Sequence, residues 1–316
     1  MHEISSSCKT VLHLKIDQMD LLEKTMAYEA ASLSANTLRT YKSMFQKFCA
    51  FCEANKLSYL PASSETIALY LSSIGKDVSF STLDSTVASI EKAHEKSNLS
   101  ILGDKSIYER VRKGIRRIHK NNQSTKQAPP LTVLDLKGAC CRLLKGVKNI
   151  RDRSIITLCF FGAFRRSELV SLNLENIEFT DNGIVVDLMQ SKTQDTKQKI
   201  YISYAKDNDI CPVKALKSWL DISGITEGAI FRSLLKNGAI EGRLSGHSVS
   251  NIIKDHFGMN YSGHSARRGL VTASAEKGTP IHIIKKHSRH KSADMVLRYV
   301  EEGQGFSNSS VSILGI

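Results

Sequence analysis

Hydrophobic positions recur at intervals of three and four through the first 120 residues. The segment that begins at Asn36 places Leu38, Tyr41, Phe45 and Phe48 on one face, and three later segments repeat this spacing. The interval is that of an amphipathic α-helix. The later segments are built on Ile67, Leu71 and Ile74; on Leu83, Val87 and Ile90; and, after a cap at Asp104, on Ile107, Val111, Ile115 and Ile118. Residues 1–120 are therefore predicted to form an N-terminal helical bundle, with 1–33 as a first helix or an arm.

The periodicity stops at residues 121–130, NNQSTKQAPP, which are polar and end in two prolines. Such a stretch is typical of a linker between domains. The second domain, 131–316, is predicted to be mainly α, with a tail from about residue 303. In one part of this domain, apolar residues occupy every second position on both sides of a polar stretch. This pattern predicts a small β-hairpin with a long polar tip. The alternating apolar residues are Ile184, Val186, Leu188, Ile200 and Ile202.

The composition is that of a globular chain, since 41% of the 316 residues are hydrophobic and 24% are charged. This excludes a disordered or collagen-like protein. No window holds the roughly 18 uninterrupted apolar residues of a membrane span, and the N-terminus lacks the pattern of a secretory signal. The seven cysteines are an odd number and Cys140 adjoins Cys141, which favours a reducing compartment over a disulfide framework. We expect a soluble, cytoplasmic protein.

The net charge of the chain predicts an acidic binding partner. The sequence has 44 Lys and Arg residues and 31 Asp and Glu residues, which leaves a formal net charge of +13. The excess is densest from Lys105 to Lys120, where seven basic residues face only Glu109 as a counter-charge. Such clustering indicates phosphate binding, and it also occurs on helix faces that are merely solvated. The candidate nucleic-acid contacts are Arg110, Arg112, Lys113, Arg116, Arg117 and Lys120.

Two groups of potential metal ligands are better explained without a metal. Cys49 and Cys52 form a C-x-x-C, but both fall inside a predicted amphipathic helix and no second pair follows at ligand spacing. His282, His287 and His290 lie close together, yet no carboxylate or cysteine set accompanies them. We expect neither a metal site nor a cofactor.

Three segments carry candidate chemistry: GAFRRSELVSL at 162–172, SGHSARRGL at 262–270 and SRHKSADMVLRYV at 288–300. In this order they resemble the tyrosine recombinase (phage integrase) family, and GHSAR is similar to its Cre-like branch. The family pairs an arginine in a G-x-x-R-x-S-E-L box with a later H-x-x-R box, another His or Trp, and a nucleophilic tyrosine nine residues further on. The resemblance covers nearly the whole chain from about Ser34.

Carried over by position, the resemblance implies roles in catalysis for seven residues. They are Arg165, Glu168, Lys192, His264, Arg267, His290 and Tyr299. The glycine that usually precedes the third imidazole is Arg289 here, so His287 remains an alternative to His290. Lys197 and Lys199 share the hairpin and remain alternatives to Lys192.

The residue types suit the attack of a tyrosine on a DNA phosphodiester. Negative charge builds on the non-bridging oxygens, and Arg165 and Arg267 can clamp them with paired N–H groups. Glu168, three residues after Arg165, can hold that side chain by hydrogen bonding. Because the phosphodiester is exchanged for a phosphotyrosine, neither ATP nor a metal is required.

Proton transfer falls to the remaining groups. A tyrosine with an ordinary pKa of about 10 needs a base at neutral pH, and His264 is the candidate, with His290 supporting the phosphate. A hairpin lysine whose pKa is lowered by neighbouring positive charge can protonate the departing 5′ oxygen, which is the role expected of Lys192.

The resemblance implies a site-specific DNA recombinase or integrase of a mobile genetic element. It would act as a homotetramer on recombination sites in double-stranded DNA, through a 3′-phosphotyrosine intermediate and a Holliday junction, with a role for accessory proteins left open. A type IB topoisomerase-like enzyme and a non-catalytic DNA-binding protein of the same fold are the alternatives. The apolar end of the tail, with Val311, Ile313 and Leu314, is expected to pack on a neighbouring subunit or on its own domain.

Overall fold

The computed structural model divides the chain into two compact units, Met1–Lys126 and Gln127–Ile316. It describes residues 33–120, 127–188 and 198–304. The division falls inside the stretch predicted to be a linker. The helix predicted within residues 1–33, the tip of the predicted hairpin and most of the C-terminal tail lie outside the described residues.

The described part of the N-terminal unit is helical, with α1 (Ala35–Ala54), α2 (Ser64–Ile74), α3 (Phe80–Lys96) and α4 (Ser106–Ile118). The first three helices begin after Ser34, Ser63 and Ser79, whose hydroxyls each accept a hydrogen bond from a backbone N–H three residues ahead. Each hydroxyl satisfies one of the N–H groups that a helix leaves unpaired at its start. Asp104 instead lies one residue before the capping position of α4 and accepts the Ser106 backbone N–H at 2.8 Å.

The buried faces of these four helices form one core. Phe48 and Cys52 of α1, Leu71 of α2 and Leu83 of α3 are all fully buried within it. Cys49 is partly buried, and both cysteines of the C-x-x-C are free thiols in a continuous helix. The stripe predicted for α4 is wrong at its end, because Ile118 is 76% exposed where the helix terminates.

The C-terminal unit is organised around one long buried helix. Its helices, within the described residues, are α5 (Val133–Arg142), α6 (Val147–Phe161), α7 (Arg166–Ser171), α8 (Pro212–Ser223), α9 (Gly246–Phe257), α10 (Ser265–Glu276), α11 (Ile281–Ser288) and α12 (Ala293–Gln304). Helix α6 is buried at every position from Arg151 to Phe160 except Arg153. The helix is therefore enclosed by the rest of the unit, and the first arginine box follows at its end.

Two small antiparallel sheets accompany these helices. The larger has the order β1 (Ile177–Thr180), β2 (Gly183–Leu188) and β3 (Gln198–Ser203). Strands β2 and β3 pair with Ile184 opposite Ile202 and Val186 opposite Ile200, so the predicted hairpin is present and its apolar positions share the buried face. The smaller sheet pairs β4 (Arg232–Leu234) with β5 (Ile240–Arg243).

Strands β1, β4 and β5 correct the expectation that this unit is helical everywhere outside the hairpin. The sequence of β1, Ile177-Glu178-Phe179-Thr180, does alternate, but four residues are too few to establish a period, and only the first is partly buried. Strands β4 and β5 have three and four residues and an irregular register, which is too short for a period to appear. The Asn237-Gly238 pair between them is a hairpin-turn signal that could have revealed the second sheet.

Helix α10 approaches the beginning of the unit unusually closely. A Cβ on Gly269 would lie 2.0 Å from the Leu131 carbonyl oxygen, so only glycine fits at this contact. The Leu131 backbone N–H donates to the Ser265 carbonyl oxygen at 2.9 Å. These two contacts fix the helix that carries the H-x-x-R box.

Among the described residues, no helix combines the length and the apolar character needed to cross a membrane. Nor do the described His, Cys, Asp and Glu residues include a group of three or more that could hold a metal ion.

Candidate active site

The first arginine box follows directly on the central helix α6. The chain leaves this helix at Phe161, and Ala163 then adopts a left-handed backbone conformation with φ 44°. Arg165 occupies the position immediately before α7. Glu168 accepts the Arg165 backbone N–H at 2.9 Å and also pairs with the Arg165 guanidinium. One carboxylate therefore holds both the start of α7 and the arginine side chain.

The H-x-x-R box lies at the start of α10. His264 precedes the helix and is exposed, whereas Arg267 is only 4% exposed. Arg267 donates from Nη1 to the Ala163 carbonyl oxygen at 2.8 Å and from Nε to His290 Nε2 at 3.4 Å. Its Nη2 is buried and has no hydrogen-bond partner among the described residues. A buried guanidinium N–H in this state is a donor that an oxyanion could satisfy.

His290, which lies just after α11, has its protonation state set by its neighbours. Its Nδ1 is 2.7 Å from Ser288 Oγ, and that hydroxyl donates its proton to the Ile284 carbonyl oxygen at 2.6 Å. The Nδ1 of His290 must therefore carry a proton, and Nε2 accepts from Arg267. Burial and then the charges of Arg267 and Arg165 lower the pKa of His290 to about 4, so the ring is neutral at pH 7.

Tyr299 is half-buried in α12. The guanidinium carbon of Arg268 lies 5.0 Å from the centre of its ring, and the centre of the His290 ring lies 5.9 Å away. The tyrosine also packs against a small apolar cluster of Val271, Ala275, Ile284 and Val296. These contacts hold the tyrosine ring beside the two boxes.

Five of the seven predicted catalytic residues line one cavity of about 350 Å³. They are Arg165, His264, Arg267, His290 and Tyr299, and the other walls are Gln127, Ala128, Ser262, Arg268 and Met295. Glu168 lies behind Arg165 and holds it. Lys192 lies outside the described residues.

The cavity is cationic, and burial together with this positive charge keeps its histidines neutral. Burial, followed by the charges of Arg165 and Arg289, lowers the pKa of Arg267 to about 9, which leaves the guanidinium charged at neutral pH. Partial desolvation at the cavity mouth, followed by the charges of Arg267 and its neighbours, lowers the pKa of His264. The His264 imidazole is therefore unprotonated at pH 7, as a proton acceptor must be.

The matches to known proteins agree with this geometry. The profile described as the Phage integrase family matches residues 133–304. The integrase/recombinase xerD homolog of Selenomonas ruminantium is 31% identical over 292 residues, which cover 89% of this chain and 86% of that protein. The chain belongs to the phage integrase family. The predicted resemblance is thereby confirmed, and the protein is a site-specific tyrosine recombinase, an enzyme that breaks and rejoins DNA.

More distant relatives extend the likeness over both units. Recombinase cre of Escherichia phage P1 is 22% identical over 324 residues, covering 94% of this chain and 91% of that protein. The Tn1549 transposon integrase in complex with transposon right end DNA has a TM-score of 0.59 at 13% identity, with 87% of this chain and 92% of that one covered. A lambda integrase dimer bound to a COC' core site has a TM-score of 0.58 at 17% identity, with 93% and 98% covered. The predicted fold class is confirmed.

Two of the three alternative residues, His287 and Lys199, are not among the walls of the cavity of this recombinase. His287 Nε2 is 2.7 Å from the Phe161 carbonyl oxygen, and the ring is not among the cavity walls. Lys199 is exposed on β3 with its Nζ 3.9 Å from Asp187 Oδ1. Lys197, like Lys192, lies outside the described residues, so the choice of hairpin lysine stays a prediction.

Sequence reasoning missed two arginines that the structure brings to the site. Arg268 stacks on Tyr299 and donates to the Ala128 carbonyl oxygen. Arg289, noticed only as a departure from the family pattern, has a 5% exposed side chain and donates to Glu168 Oε2 at 2.9 Å. Burial acts to raise the pKa of Glu168, but the charge of Arg289 and the hydrogen bonds from Arg165 outweigh it and lower the pKa.

The basic residues of α4 separate onto two faces. Arg112 is paired with Asp84 at 3.2 Å and with Glu109 at 2.6 Å, and Arg116 is also paired with Asp84. The expectation that Glu109 is the only counter-charge is therefore wrong, because α3 supplies a second one. Between Lys105 and Lys120, the exposed basic residues without an ion pair in the described part of the chain are Arg110, Lys113 and Arg117 of α4, and Lys120 just beyond it.

Proposed function

We propose that this recombinase cleaves DNA with Tyr299 and rejoins it through a covalent 3′-phosphotyrosine. The observation that supports the assignment is the convergence of Tyr299 with Arg165, Arg267, His264 and His290 on one cavity. They come from three separate segments of the chain, since Arg165 lies 99 positions before His264 and Tyr299 lies 35 positions after it. Their common position is what a phosphoryl transfer site requires.

The two arginines bind the phosphate that is attacked. In the reaction the tyrosine oxygen bonds to phosphorus while the bond from phosphorus to the 5′ oxygen breaks. Arg267 is held from one side by Ala163, which leaves its buried Nη2 as a donor for a non-bridging oxygen. Arg165 is held by Glu168 with its guanidinium at the cavity wall. Donors fixed before the reaction stabilise the developing charge without reorganisation.

The two histidines have different roles, because their ring nitrogens have different hydrogen-bond partners. His264 is unprotonated and exposed to the cavity, so it accepts the Tyr299 proton. The Nε2 of His290 is already occupied by Arg267, and this ring supports the arginine and, through it, the phosphate. Lys192 on the hairpin donates a proton to the departing 5′ oxygen. Ligation reverses each step when a 5′ hydroxyl attacks the phosphotyrosine, so the number of phosphoester bonds is unchanged.

We propose that the exposed face of α4 binds the DNA backbone. Arg110, Lys113 and Arg117 are spaced by three and four residues and share one face of the helix. Arg112 and Arg116 are paired with the two carboxylates of Asp84 and Glu109, and their bonds to Asp84 hold α4 against α3. Phosphate contacts of this kind position the protein without reading sequence.

Recombination further requires an assembly. We propose that four copies join two DNA sites, exchange strands in pairs through a Holliday junction, and act in the cytoplasm on DNA. A reducing setting is supported by the free thiols of the described residues, at Cys49, Cys52, Cys140, Cys141, Cys159 and Cys211.

A nicked duplex tests the cleavage assignment. The substrate is built on the site that the protein selects from a pool of random duplexes, with a nick that lets the 5′-hydroxyl fragment diffuse away after cleavage. Wild type is expected to accumulate a covalent protein–DNA adduct, and Tyr299→Phe to form none while binding the duplex equally well. Tyr201→Phe, an exposed tyrosine of β3, is the matched control and should form the adduct.

The nicked duplex, together with supercoiled DNA and with pairs of intact sites, separates the alternatives. An adduct from Tyr299→Phe would show that the nucleophile is another residue. Binding without any wild-type adduct would favour the non-catalytic DNA-binding protein, and relaxation of supercoiled DNA without junction formation would favour the topoisomerase-like enzyme.

A further inference from the structure

We propose that Arg289 is a positioning residue for the cleavage reaction. Its side chain donates to hydrogen-bond acceptors that also bind Arg165 and Arg267, and in this way it holds both arginines in place. The inference rests on the proposed roles of those two arginines. It concerns a residue at which this chain departs from the glycine that the family usually has.

The guanidinium of Arg289 is at the centre of a buried hydrogen-bond network. From Nη2 it donates to Glu168 Oε2 and to the Ala163 carbonyl oxygen, both at 2.9 Å. From Nη1 it donates to the carbonyl oxygens of His287 at 2.8 Å and Gly162 at 3.1 Å. Four acceptors on one side chain bind it rigidly.

Two of these acceptors are also the anchors of the phosphate-binding arginines. Glu168 holds the Arg165 guanidinium, and the Ala163 carbonyl oxygen accepts from Arg267 Nη1 at 2.8 Å. In addition, Arg165 Nη2 donates to the carbonyl oxygen of Arg289 itself at 3.1 Å. Movement of Arg289 would therefore displace both arginines together.

The backbone supports a specific role for the side chain. Arg289 has φ 58° and ψ 42°, a left-handed conformation that a glycine adopts without strain and other residues rarely adopt. The side-chain network offsets that strain, and the guanidinium also lies 5.3 Å from the centre of the Phe164 ring. Arg289 is not among the walls of the catalytic cavity, so it acts through Arg165 and Arg267 and not on the DNA.

Single-turnover cleavage of the nicked duplex tests the proposal. Arg289→Gly removes the guanidinium and relieves the backbone strain, so it is the variant expected to fold. We expect its cleavage rate to fall by about 10- to 100-fold, the usual effect of a small misplacement of reacting groups, with DNA affinity unchanged. Arg289→Lys should recover part of the rate, and added guanidinium ion should recover part of it in Arg289→Gly.

The matched control is Arg151→Ala. Arg151 is also a buried arginine of this unit, with a 7% exposed side chain that binds Asp152 and the Arg232 carbonyl oxygen, but it does not line the cavity. Its loss should lower the melting temperature and leave the cleavage rate of folded protein unchanged.

Three results would overturn the proposal. The first is a wild-type rate in Arg289→Gly. The second is a loss that neither lysine nor guanidinium ion restores and that Arg151→Ala shares, since this would be a general loss of stability. The third is the absence of a covalent adduct from wild type. It would refute the proposed cleavage function and, with it, the positioning role of Arg289. The wild-type reaction distinguishes this result from the first two.

Discussion

Replacing Glu168 with glutamine tests whether one buried carboxylate holds the arginine cluster together. The side chain is 13% exposed and accepts from the Arg165 backbone at 2.9 Å, from the Arg165 guanidinium and from Arg289 at 2.9 Å. Glutamine keeps the shape, but its NH₂ group would replace an acceptor and face a guanidinium. Both arginines would lose their counter-charge.

The burial of the Glu168 side chain determines how much stability the Glu168→Gln variant is expected to lose. Removing one partner of a buried ion pair costs about 3–5 kcal/mol. In a unit the size of Gln127–Ile316, each kcal/mol lowers the melting temperature by roughly 2–4 °C. We therefore expect Glu168→Gln to lower the melting temperature of this unit by about 6–20 °C at pH 7. Scanning calorimetry measures the shift directly.

The pH dependence gives the prediction its sign. The pKa of Glu168 is lowered in the folded protein, so the carboxylate adds stability above its unfolded pKa of about 4.3 and loses it as the pH falls through the folded-state pKa. The difference in melting temperature between wild type and variant should be full at pH 7 and should close below about pH 4.

The control is a half-exposed carboxylate in the same unit. Asp187 lies 3.9 Å from Lys199, and both side chains are about half exposed, at 48% and 54%. Asp187→Asn should cost less than about 1 kcal/mol. The reasoning is refuted if Glu168→Gln melts within about 4 °C of wild type at pH 7, or if the difference is the same at about pH 3.

Two further predictions concern the base and the DNA-binding helix. Desolvation and the neighbouring arginines lower the pKa of His264. The acid limb of kcat/KM for cleavage, which reports the free enzyme, should therefore have its midpoint below the ordinary histidine value of about 6.5. A midpoint above that value would contradict this. Lys113→Ala should reduce the slope of log DNA affinity against log salt concentration by about 1, measured by fluorescence anisotropy. Arg112→Ala should change this slope little, because the Arg112 guanidinium is already paired with Asp84 and Glu109. Equal slopes for the two variants would refute the division of α4 into two faces.

Local patterns predicted the parts of this molecule that depend on neighbouring residues. The hairpin followed from alternation at Ile184, Val186, Ile200 and Ile202, because a strand that is buried on one face needs that period. The members of the cavity were predicted differently, from the resemblance to the family, since the boxes that carry Arg165, Arg267 and Tyr299 occur in its order and spacing.

Other contacts between distant segments could be predicted neither from local patterns nor from the order of the motifs. Arg289 meets Glu168 across 121 positions, and no local period links them. Asp84 meets Arg112 and Arg116 across 28 and 32 positions, so only the packing of α3 on α4 reveals which basic residues are already neutralised. Strands β1, β4 and β5 were missed because each is short and largely or partly exposed.

Much of the active-site framework in this recombinase is main chain. Arg267 is anchored by the carbonyl oxygen of Ala163, Arg289 by those of Gly162, Ala163 and His287, and Arg165 in part by that of Arg289. No side-chain substitution deletes a carbonyl, so an alanine scan would assign the whole framework to Glu168 and the arginines. Mapping the rest requires replacement of backbone amides by esters. Substitution at position 163 would keep that oxygen, and it is limited by the left-handed turn that directs the oxygen at two guanidiniums and by the complete burial of the Ala163 side chain.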